Sequence, residues 1–261
     1  MREGVKRALA ALPGGRAAGA TFLIYHRVGG GSRDESDVGS EAFRAQVDAL
    51  MDQRVVAIDD AADALDRGDT DHRVVLTFDD GFRDVYDHAW PLLRERRLPF
   101  TVYLTTAYVG GVMGWEGSTA RDRSAPALTW HQLREMVDSG LCTIGNHTHS
   151  HVRPEQLNTD EVDRCTEIIE QRLRVYPRHF AYTWGVPVPA MEQALRDRFR
   201  TAATGRLGRN LPGTDPVRFS RVPVRRTDPI EFFEAKVHGG LLPERAYAAL
   251  VAAAKRTGVR A

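Results

Sequence analysis

Short apolar runs of strand length alternate with helical patterns along this 261-residue chain, and no other feature limits the possible folds as strongly. Parallel strands must be joined by crossover connections, usually helices, so the alternation is typical of α/β folds with a mostly parallel sheet. The strands predicted from the apolar runs are 21–25, 55–58, 74–78, 100–104, 141–144, 180–182 and 221–224. Since α/β barrels of about 250 residues are often one domain, we predict a leader segment over 1–20 and a single domain over 21–261.

Capping signals and helical periodicity predict helices between these strands. Ser40 is predicted to cap a helix. Thr129 begins a predicted helix that ends at Gly140, and Asn158 is predicted to cap the next one. Residues 108–128 show no periodicity and form a predicted long loop, which in a compact domain is often functional.

Composition argues against several classes of partner. Lysine and arginine number 36 against 35 acidic residues, and the net charge of +1 gives no general attraction to nucleic acid or anionic lipid. Cys142 and Cys165 form no paired motif and are predicted to be buried and unpaired. No stretch approaches the roughly 20 apolar residues of a membrane span, so we expect no stable membrane insertion. The first apolar run is short for a signal peptide, which favours a cytoplasmic location and leaves an extracytoplasmic one open.

Polar residues follow four of the predicted strands. His26 comes after the first, Asp79 and Asp80 after strand 74–78, residues 146–151 after strand 141–144, and residues 182–185 after strand 180–182. The carboxyl ends of parallel strands share one face, so these residues should converge on a single pocket. Adjacent carboxylates resist ionisation unless something compensates them. Carboxylates with imidazoles are a ligand set for a divalent transition metal.

Two ordered motifs resemble those of a known family. TFDDG at 77–81 and HTHSH at 147–151 are similar to the metal-site motifs of the polysaccharide deacetylase family, the NodB-like carbohydrate esterases. Three further segments resemble its poly-N-acetylglucosamine deacetylase branch: YHRV at 25–28, LTWHQL at 128–133 and FAYTWG at 180–185. The resemblance covers roughly Phe22 to Val224. It implies a distorted (β/α) barrel, zinc or another divalent transition metal, and hydrolysis of N-acetyl groups on a carbohydrate substrate.

The resemblance also implies roles for individual residues. Asp80, His147 and His151 match the family's metal ligands, and Asp79 matches its general base. His26, in the early YH pair, is the candidate donor of a proton to the departing amine. The candidate substrate-binding residues are Tyr182, Trp184 and Trp115.

Several of these residues have a purely structural alternative. The two aspartates could cap a helix N-terminus. His149 lies two residues from His147 and would share its face on a continued strand, so it could replace His151 as a ligand, although the family spacing favours His151. His26 could be a buried histidine bonded to a backbone carbonyl, and the tryptophans could be core aromatics rather than sugar platforms.

The third family motif differs in this chain. The family commonly has F-R-P-P-Y-G, whereas residues 180–185 read FAYTWG, so the arginine that would orient the base is missing there. Arg221, on a neighbouring predicted strand, is the candidate replacement. The family's C-terminal leucine–histidine motif is also absent, which is why the acid role falls on His26.

The expected function is therefore metal-dependent removal of N-acetyl groups from N-acetylhexosamine residues of a polysaccharide or oligosaccharide. One alternative is an amide hydrolase of the same fold that acts on a small or carrier-linked amino sugar. A non-catalytic sugar-binding module is a third, disfavoured by Asp79, because a binding module needs no base beside the metal.

Overall fold

The protein is a closed barrel of seven parallel strands surrounded by helices. The computed structural model describes residues 2–12, 15, 17–118, 124–238 and 240–256. The barrel strands, in spatial order, are β1 (Ala20–Tyr25), β4 (Arg73–Phe78), β5 (Phe100–Leu104), β6 (Cys142–Asn146), β7 (His179–Ala181), β8 (Thr201–Leu207) and β9 (Phe219–Pro223). Strand β1 pairs with both β4 and β9, which closes the barrel. The predicted α/β barrel is confirmed.

Helices connect the strands, and a small parallel ladder lies outside the barrel. The ladder pairs β2 (Arg27–Val28) with β3 (Asp37–Val38). The helices are α1 (Arg2–Ala10), α2 (Ser40–Leu50), α3 (Ile58–Asp66), α4 (Trp90–Glu95), α5 (Trp130–Asp138), α6 (Thr159–Leu173), α7 (Glu192–Arg196), α8 (Ile230–His238) and α9 (Leu242–Arg256). Across the described part of the chain, none of them is long and apolar enough to cross a membrane.

Two of the predicted helix caps are present. The Thr129 hydroxyl accepts a hydrogen bond from the Gln132 backbone N–H at the start of α5, and the Gln132 side chain completes a capping box. The Asn158 side chain accepts from the Glu161 backbone N–H at the start of α6. The prediction for Ser40 is wrong by one residue, because Gly39 occupies the cap position without a side-chain bond.

The predicted strand 55–58 is wrong. Only Val55 forms a β-bridge, to Val74, and helix α3 begins at Ile58. The helix forms because Ile58, Ala61 and Leu65 recur at helical spacing and are all buried. Sequence analysis also missed β8 and α8. Strand β8 reads TAATGRL, whose small residues give little apolar signal, although its first four residues are buried.

Part of the predicted leader is integrated into the fold. Helix α1 places Lys6 in a fully buried position, where its ammonium donates to Thr227 Oγ1 at 2.7 Å and to Asp228 Oδ1 at 2.7 Å. The helix is thereby tied to the segment that follows β9. Cys142 and Cys165 are buried and free, as expected from the sequence.

Side chains point alternately to the two faces of each strand and form two apolar cores, one outside the barrel and one inside it. Leu76 and Phe78 of β4 face outward into the layer between barrel and helices, whereas Val75 faces the barrel interior. The same alternation directs the residue after Phe78 into the mouth of the barrel. The barrel therefore presents the residues that follow its strands to one cavity.

We expect Phe43→Ala to destabilise the protein by about 3–5 kcal/mol, because Phe43 is buried and its loss leaves a cavity. Its ring lies 5.6 Å from Tyr25 and 6.2 Å from Phe78, measured between centroids, and so joins α2 to the barrel. The exposed Met51→Ala at the end of α2 is the matched control and should change stability by less than about 0.5 kcal/mol. Denaturant unfolding measures both changes, and equal effects would contradict this account of the core.

Candidate metal and catalytic site

Asp79 and Asp80 follow strand β4 in a turn that directs both carboxylates into the cavity. The Asp79 backbone N–H donates to the Tyr25 carbonyl at 2.9 Å, which extends the pairing with β1. Asp80 then takes φ = 74°, and Gly81 takes φ = 96°. Adjacent strand residues normally point to opposite faces, and the left-handed turn at Asp80 removes that restriction. An aspartate tolerates this conformation better than a bulky residue does.

The HTHSH motif is a second turn with unusual backbone angles. Thr148 has φ = 66° and His151 has φ = 55°. Asn146, the last residue of β6, accepts a hydrogen bond from the Thr148 backbone N–H at 2.9 Å. Glu161 of α6 accepts from the Ser150 backbone N–H at 2.8 Å and from its hydroxyl at 2.9 Å. These contacts hold residues in a conformation that costs free energy when nothing supports it.

Asp80, His147 and His151 form a compact group of donor atoms. Asp80 Oδ1 lies 3.4 Å from His147 Nε2 and 3.3 Å from His151 Nε2. One ligand atom from each residue lies within 4.8 Å of the others, and all three residues are buried. His147 Nδ1 lies 2.8 Å from the Ala181 carbonyl and donates to it, so its Nε2 carries the free lone pair.

This group fits a divalent metal ion. Asp80 Oδ1 is buried and receives no hydrogen bond from the described residues, which is costly for a carboxylate unless a cation sits beside it. Burial would raise the pKa of Asp80, but His147 and His151 outweigh it and hold that pKa below its ordinary value. Burial lowers the pKa of His151, which favours the neutral, metal-binding imidazole. Burial acts the same way on His147, but Asp80 and Asp79 outweigh it and raise the pKa of His147, so a metal ion competes with a proton there. Two imidazoles and one carboxylate are a known catalytic ligand set for zinc.

The two histidines that the sequence left open as ligands differ in their surroundings. His149 Nδ1 lies 2.9 Å from Thr106 Oγ1, and the backbone N–H of His149 donates to the Glu161 carbonyl. His149 is therefore engaged elsewhere, and His151 completes the donor group. The positive φ at Thr148 breaks the strand alternation on which the alternative rested.

Asp79 is held by Arg221. The two guanidinium nitrogens donate to the two carboxylate oxygens at 2.7 and 2.8 Å, and Arg221 Nε donates to the Thr204 carbonyl at 2.9 Å. Burial would raise the pKa of Asp79, but Arg221 outweighs it and keeps the pKa below its ordinary value. Arg221 of β9 thus occupies the place predicted for the missing motif-three arginine. Neither aspartate caps a helix among the described residues, so that alternative is not supported.

The donor group and Asp79 open onto one cavity of about 410 Å³. His26 lines this cavity, as do Trp115 and Trp184. The ring of Trp115 stacks on His151 with centroids 4.4 Å apart, and that of Trp184 lies 5.4 Å from the same imidazole. Trp115 is buried, whereas Trp184 is 38% exposed at the mouth.

The structure corrects the expectation for Tyr182. Its side chain is fully buried and does not line the cavity. It packs with Phe180, at 5.3 Å between ring centroids, and with Leu195 in an outer cluster. The chain turns after β7, so Trp184, with φ = 60°, faces the cavity instead.

Several residues that shape the site were not predicted from the sequence. Glu161 was recognised only as part of a capping signal, yet it anchors the HTHSH turn. The Ala181 carbonyl that orients His147 has no side-chain signature at all. Asp34 and Glu35 also line the cavity, but they follow no predicted strand. Arg225 lines it too and does follow predicted strand 221–224, yet it was not among the candidates.

Comparison with known proteins agrees with this geometry. Residues 66–198 match the family model described as polysaccharide deacetylase. A poly-beta-1,6-N-acetyl-D-glucosamine N-deacetylase of Staphylococcus epidermidis is 27% identical over 147 residues, which are 50% of this chain and 48% of that protein. A putative polysaccharide deacetylase of Bacillus subtilis is 25% identical over 151 residues. The chain thus spans about half the length of these curated relatives.

Solved structures show the same fold. IcaB from Ammonifex degensii superposes with a TM-score of 0.73 and 32% identity, over 85% of this chain and 97% of that one. BC0361, a polysaccharide deacetylase from Bacillus cereus, has a TM-score of 0.71 at 20% identity, over 85% of this chain and 69% of that one. The second likeness concerns the fold alone.

We expect Asp80→Ala and His147→Ala each to lower the content of bound divalent metal strongly, because each removes one of three donors. His149→Ala is the matched control from the same turn and should keep its metal, since its imidazole lies against Thr106. Elemental analysis after dialysis measures the content. Full occupancy in the first two variants, or loss in the third, would contradict the assignment of the donors.

Proposed function

The chain belongs to the polysaccharide deacetylase family, and we propose that it is a metal-dependent hydrolase that removes N-acetyl groups from N-acetylhexosamine residues of a polysaccharide or oligosaccharide. One observation carries the proposal: Asp79, held ionised by Arg221, shares a cavity with the Asp80, His147 and His151 donors. A base beside a metal site suits hydrolysis. Similarity to the poly-beta-1,6-N-acetyl-D-glucosamine N-deacetylase of Staphylococcus epidermidis supports an N-acetylglucosamine polymer as the substrate class.

Asp80, His147 and His151 would hold the metal ion, and their donor types favour zinc. When bound, a divalent ion of this kind polarises a carbonyl and lowers the pKa of a water from 15.7 to about 7. The Ala181 carbonyl fixes the tautomer of His147 and so keeps Nε2 available as a ligand.

Asp79 accepts the proton of the water that attacks the acetamide carbonyl. Its bidentate contact with Arg221 occupies one acceptor position on each oxygen, and a carboxylate has about four such positions. Arg221 keeps the carboxylate charged at neutral pH and fixes its plane. Because Arg221 is itself fully buried and bonded to Thr204, the base is held in one orientation.

His26 protonates the amine as it departs. An amine is a poor leaving group unless a proton reaches its nitrogen in the transition state, and imidazole is the usual donor near neutral pH. His26 lines the same cavity and is half-buried. It lies close enough to Asp79 and Asp80 to contribute to the lowered pKa of both carboxyl groups.

The two tryptophans provide an apolar wall beside His151. Trp115 lies deep enough to contact an acetyl methyl group, and the exposed Trp184 can pack against a sugar ring. A cavity of about 410 Å³ lies within the range of small-ligand sites, so a small amino sugar is the alternative substrate. Assays on both polymer and monomer distinguish these classes.

Wild-type protein loaded with zinc should release acetate from N-acetylglucosamine oligomers, and Asp79→Asn should lower the rate by roughly 10²–10⁴-fold. Asparagine keeps the shape of the side chain but cannot take the proton. The variant should retain its metal, because Asp79 is not one of the donor residues.

Near wild-type turnover by Asp79→Asn would remove this residue from the mechanism. Turnover of small acetamides without turnover of oligomers would select the small-substrate alternative. Sugar binding without any acetate release would support the non-catalytic module instead.

His26→Ala should keep metal and lose rate on amide substrates, while an activated aryl acetate should be cleaved nearly as well as by wild type. The reason is that an activated phenolate leaves without a proton, whereas an amine does not. Comparison of kcat/KM on the two substrates measures the difference. Equal losses on amide and ester, together with lower thermal stability, would make His26 a structural histidine.

A further inference from the structure

A buried ion pair lies immediately beside His26. Arg27 Nε donates to Asp84 Oδ2 at 2.7 Å, and the two side chains are only 7% and 10% exposed. Asp84 Oδ1 also accepts from the Val28 backbone N–H, at 3.3 Å. One carboxylate therefore holds both the side chain of Arg27 and the backbone that follows it.

This ion pair joins two segments that carry the site. Arg27 continues the chain from His26 at the end of β1, while Asp84 lies in the segment that follows Asp80 at the end of β4. The barrel pairing between β1 and β4 stops at Tyr25 and Phe78. Beyond that point the Asp79 N–H still donates to the Tyr25 carbonyl, and the ion pair then links the two segments.

His26 depends on its neighbours for its position. Its imidazole makes no hydrogen bond to the described part of the chain, and its charge interacts with Asp79 and Asp80 without a direct bond to either. The backbone before it is held by the Asp79 N–H, which donates to the Tyr25 carbonyl at 2.9 Å. The backbone after it is held by Arg27, whose N–H donates to the Ser36 carbonyl at 3.2 Å.

The surroundings of the ion pair leave it little freedom. The Arg27 guanidinium lies 5.0 Å from the centroid of the Phe82 ring, and Phe82 packs against Trp115 of the cavity wall. Gly30 covers the pair so closely that a Cβ atom there would lie 2.3 Å from an Arg27 nitrogen and 2.6 Å from Asp84 Oδ2. The backbone at Gly30 thus requires a residue without a side chain.

We propose that Arg27 and Asp84 are positioning residues that fix His26 in the cavity for protonation of the departing amine. The inference rests on the proposed function, because the role of His26 belongs to it. A buried ion pair is weak evidence for a stabilising role, since the desolvation of two charges commonly offsets their attraction. Its placement between the two catalytic segments accounts for it better.

The test compares Asp84→Asn with wild type on the N-acetylglucosamine oligomer and on the activated aryl acetate, alone and combined with His26→Ala. Misplacement of a catalytic group by about 1 Å can cost about 10²-fold in rate. We expect a loss of that order on the amide, little loss on the ester and unchanged metal content. In the His26→Ala background the substitution should have no further effect on the amide, because its target is already absent.

Two further variants separate positioning from general damage. Asp87→Asn removes the exposed ion pair with Arg83 in the same segment and should leave the rates unchanged. Arg27→Lys keeps a cation beside Asp84 but loses the planar donor group, and it should reproduce the loss on the amide. Arg27→Lys tests the positioning role independently if Asp84→Asn folds poorly.

The outcomes are distinguishable. Equal losses on amide and ester, or an additional loss in the His26→Ala background, would overturn the positioning role. An amide-specific loss in His26→Ala that neither Asp84→Asn nor Arg27→Lys shares would overturn it as well and leave the proposed function intact. If His26→Ala shows no amide-specific loss, His26 is not the proton donor. The positioning role of Arg27 and Asp84 would then fail as well.

Discussion

The bidentate contact between Asp79 and Arg221 is the interaction on which the site depends. Both groups lie in the barrel, where an unpaired charge would be costly, so each requires the other. Their strands are not neighbours: β4 and β9 both pair with β1, and the ion pair spans that strand. The carboxylate of Asp79 therefore has its partner only in a barrel that is closed through β9. The geometry of the cavity and the closure of the barrel are linked by this one contact.

The backbone angles explain how consecutive residues can serve one cavity. On a regular strand Asp79 and Asp80 would point to opposite faces. The left-handed turn at Asp80, and similar turns at Thr148, His151 and Trp184, redirect side chains that alternation would send elsewhere. Such conformations cost free energy and persist only where surrounding contacts determine them. Asn146 and Glu161 provide those contacts for the HTHSH turn, so side chains of the protein itself support its conformation.

These same turns mark the limit of what the sequence could predict. Alternation of strands and helices gave the barrel, and polar residues after strands gave the convergence of Asp79, His26 and His147. Position in the alternation also identified Arg221 as the partner of Asp79. The choice between His149 and His151 depends on the positive φ at Thr148, which no periodicity reveals. Tyr182 instead continues the alternation of β7 and lies with Phe180 in the outer cluster. The Ala181 carbonyl and the small-residue strand β8 lack any side-chain signal.

The carboxylates of the two buried ion pairs, Asp79 with Arg221 and Asp84 with Arg27, differ in the net shift of their pKa. Burial opposes the ionisation of both, but Arg221 contacts Asp79 through two nitrogens and lowers its pKa. Arg27 donates only Nε to Asp84, and burial raises the pKa of Asp84 to about 6. A carboxyl group whose pKa is higher in the folded state contributes stability at low pH, and that contribution is lost as the pH rises through about 6. At neutral pH the ionised carboxylate of Asp84 therefore does not stabilise the folded state through its shifted pKa. The position of Asp84 is better explained by the geometry that its two hydrogen bonds impose on the segments after β1 and β4.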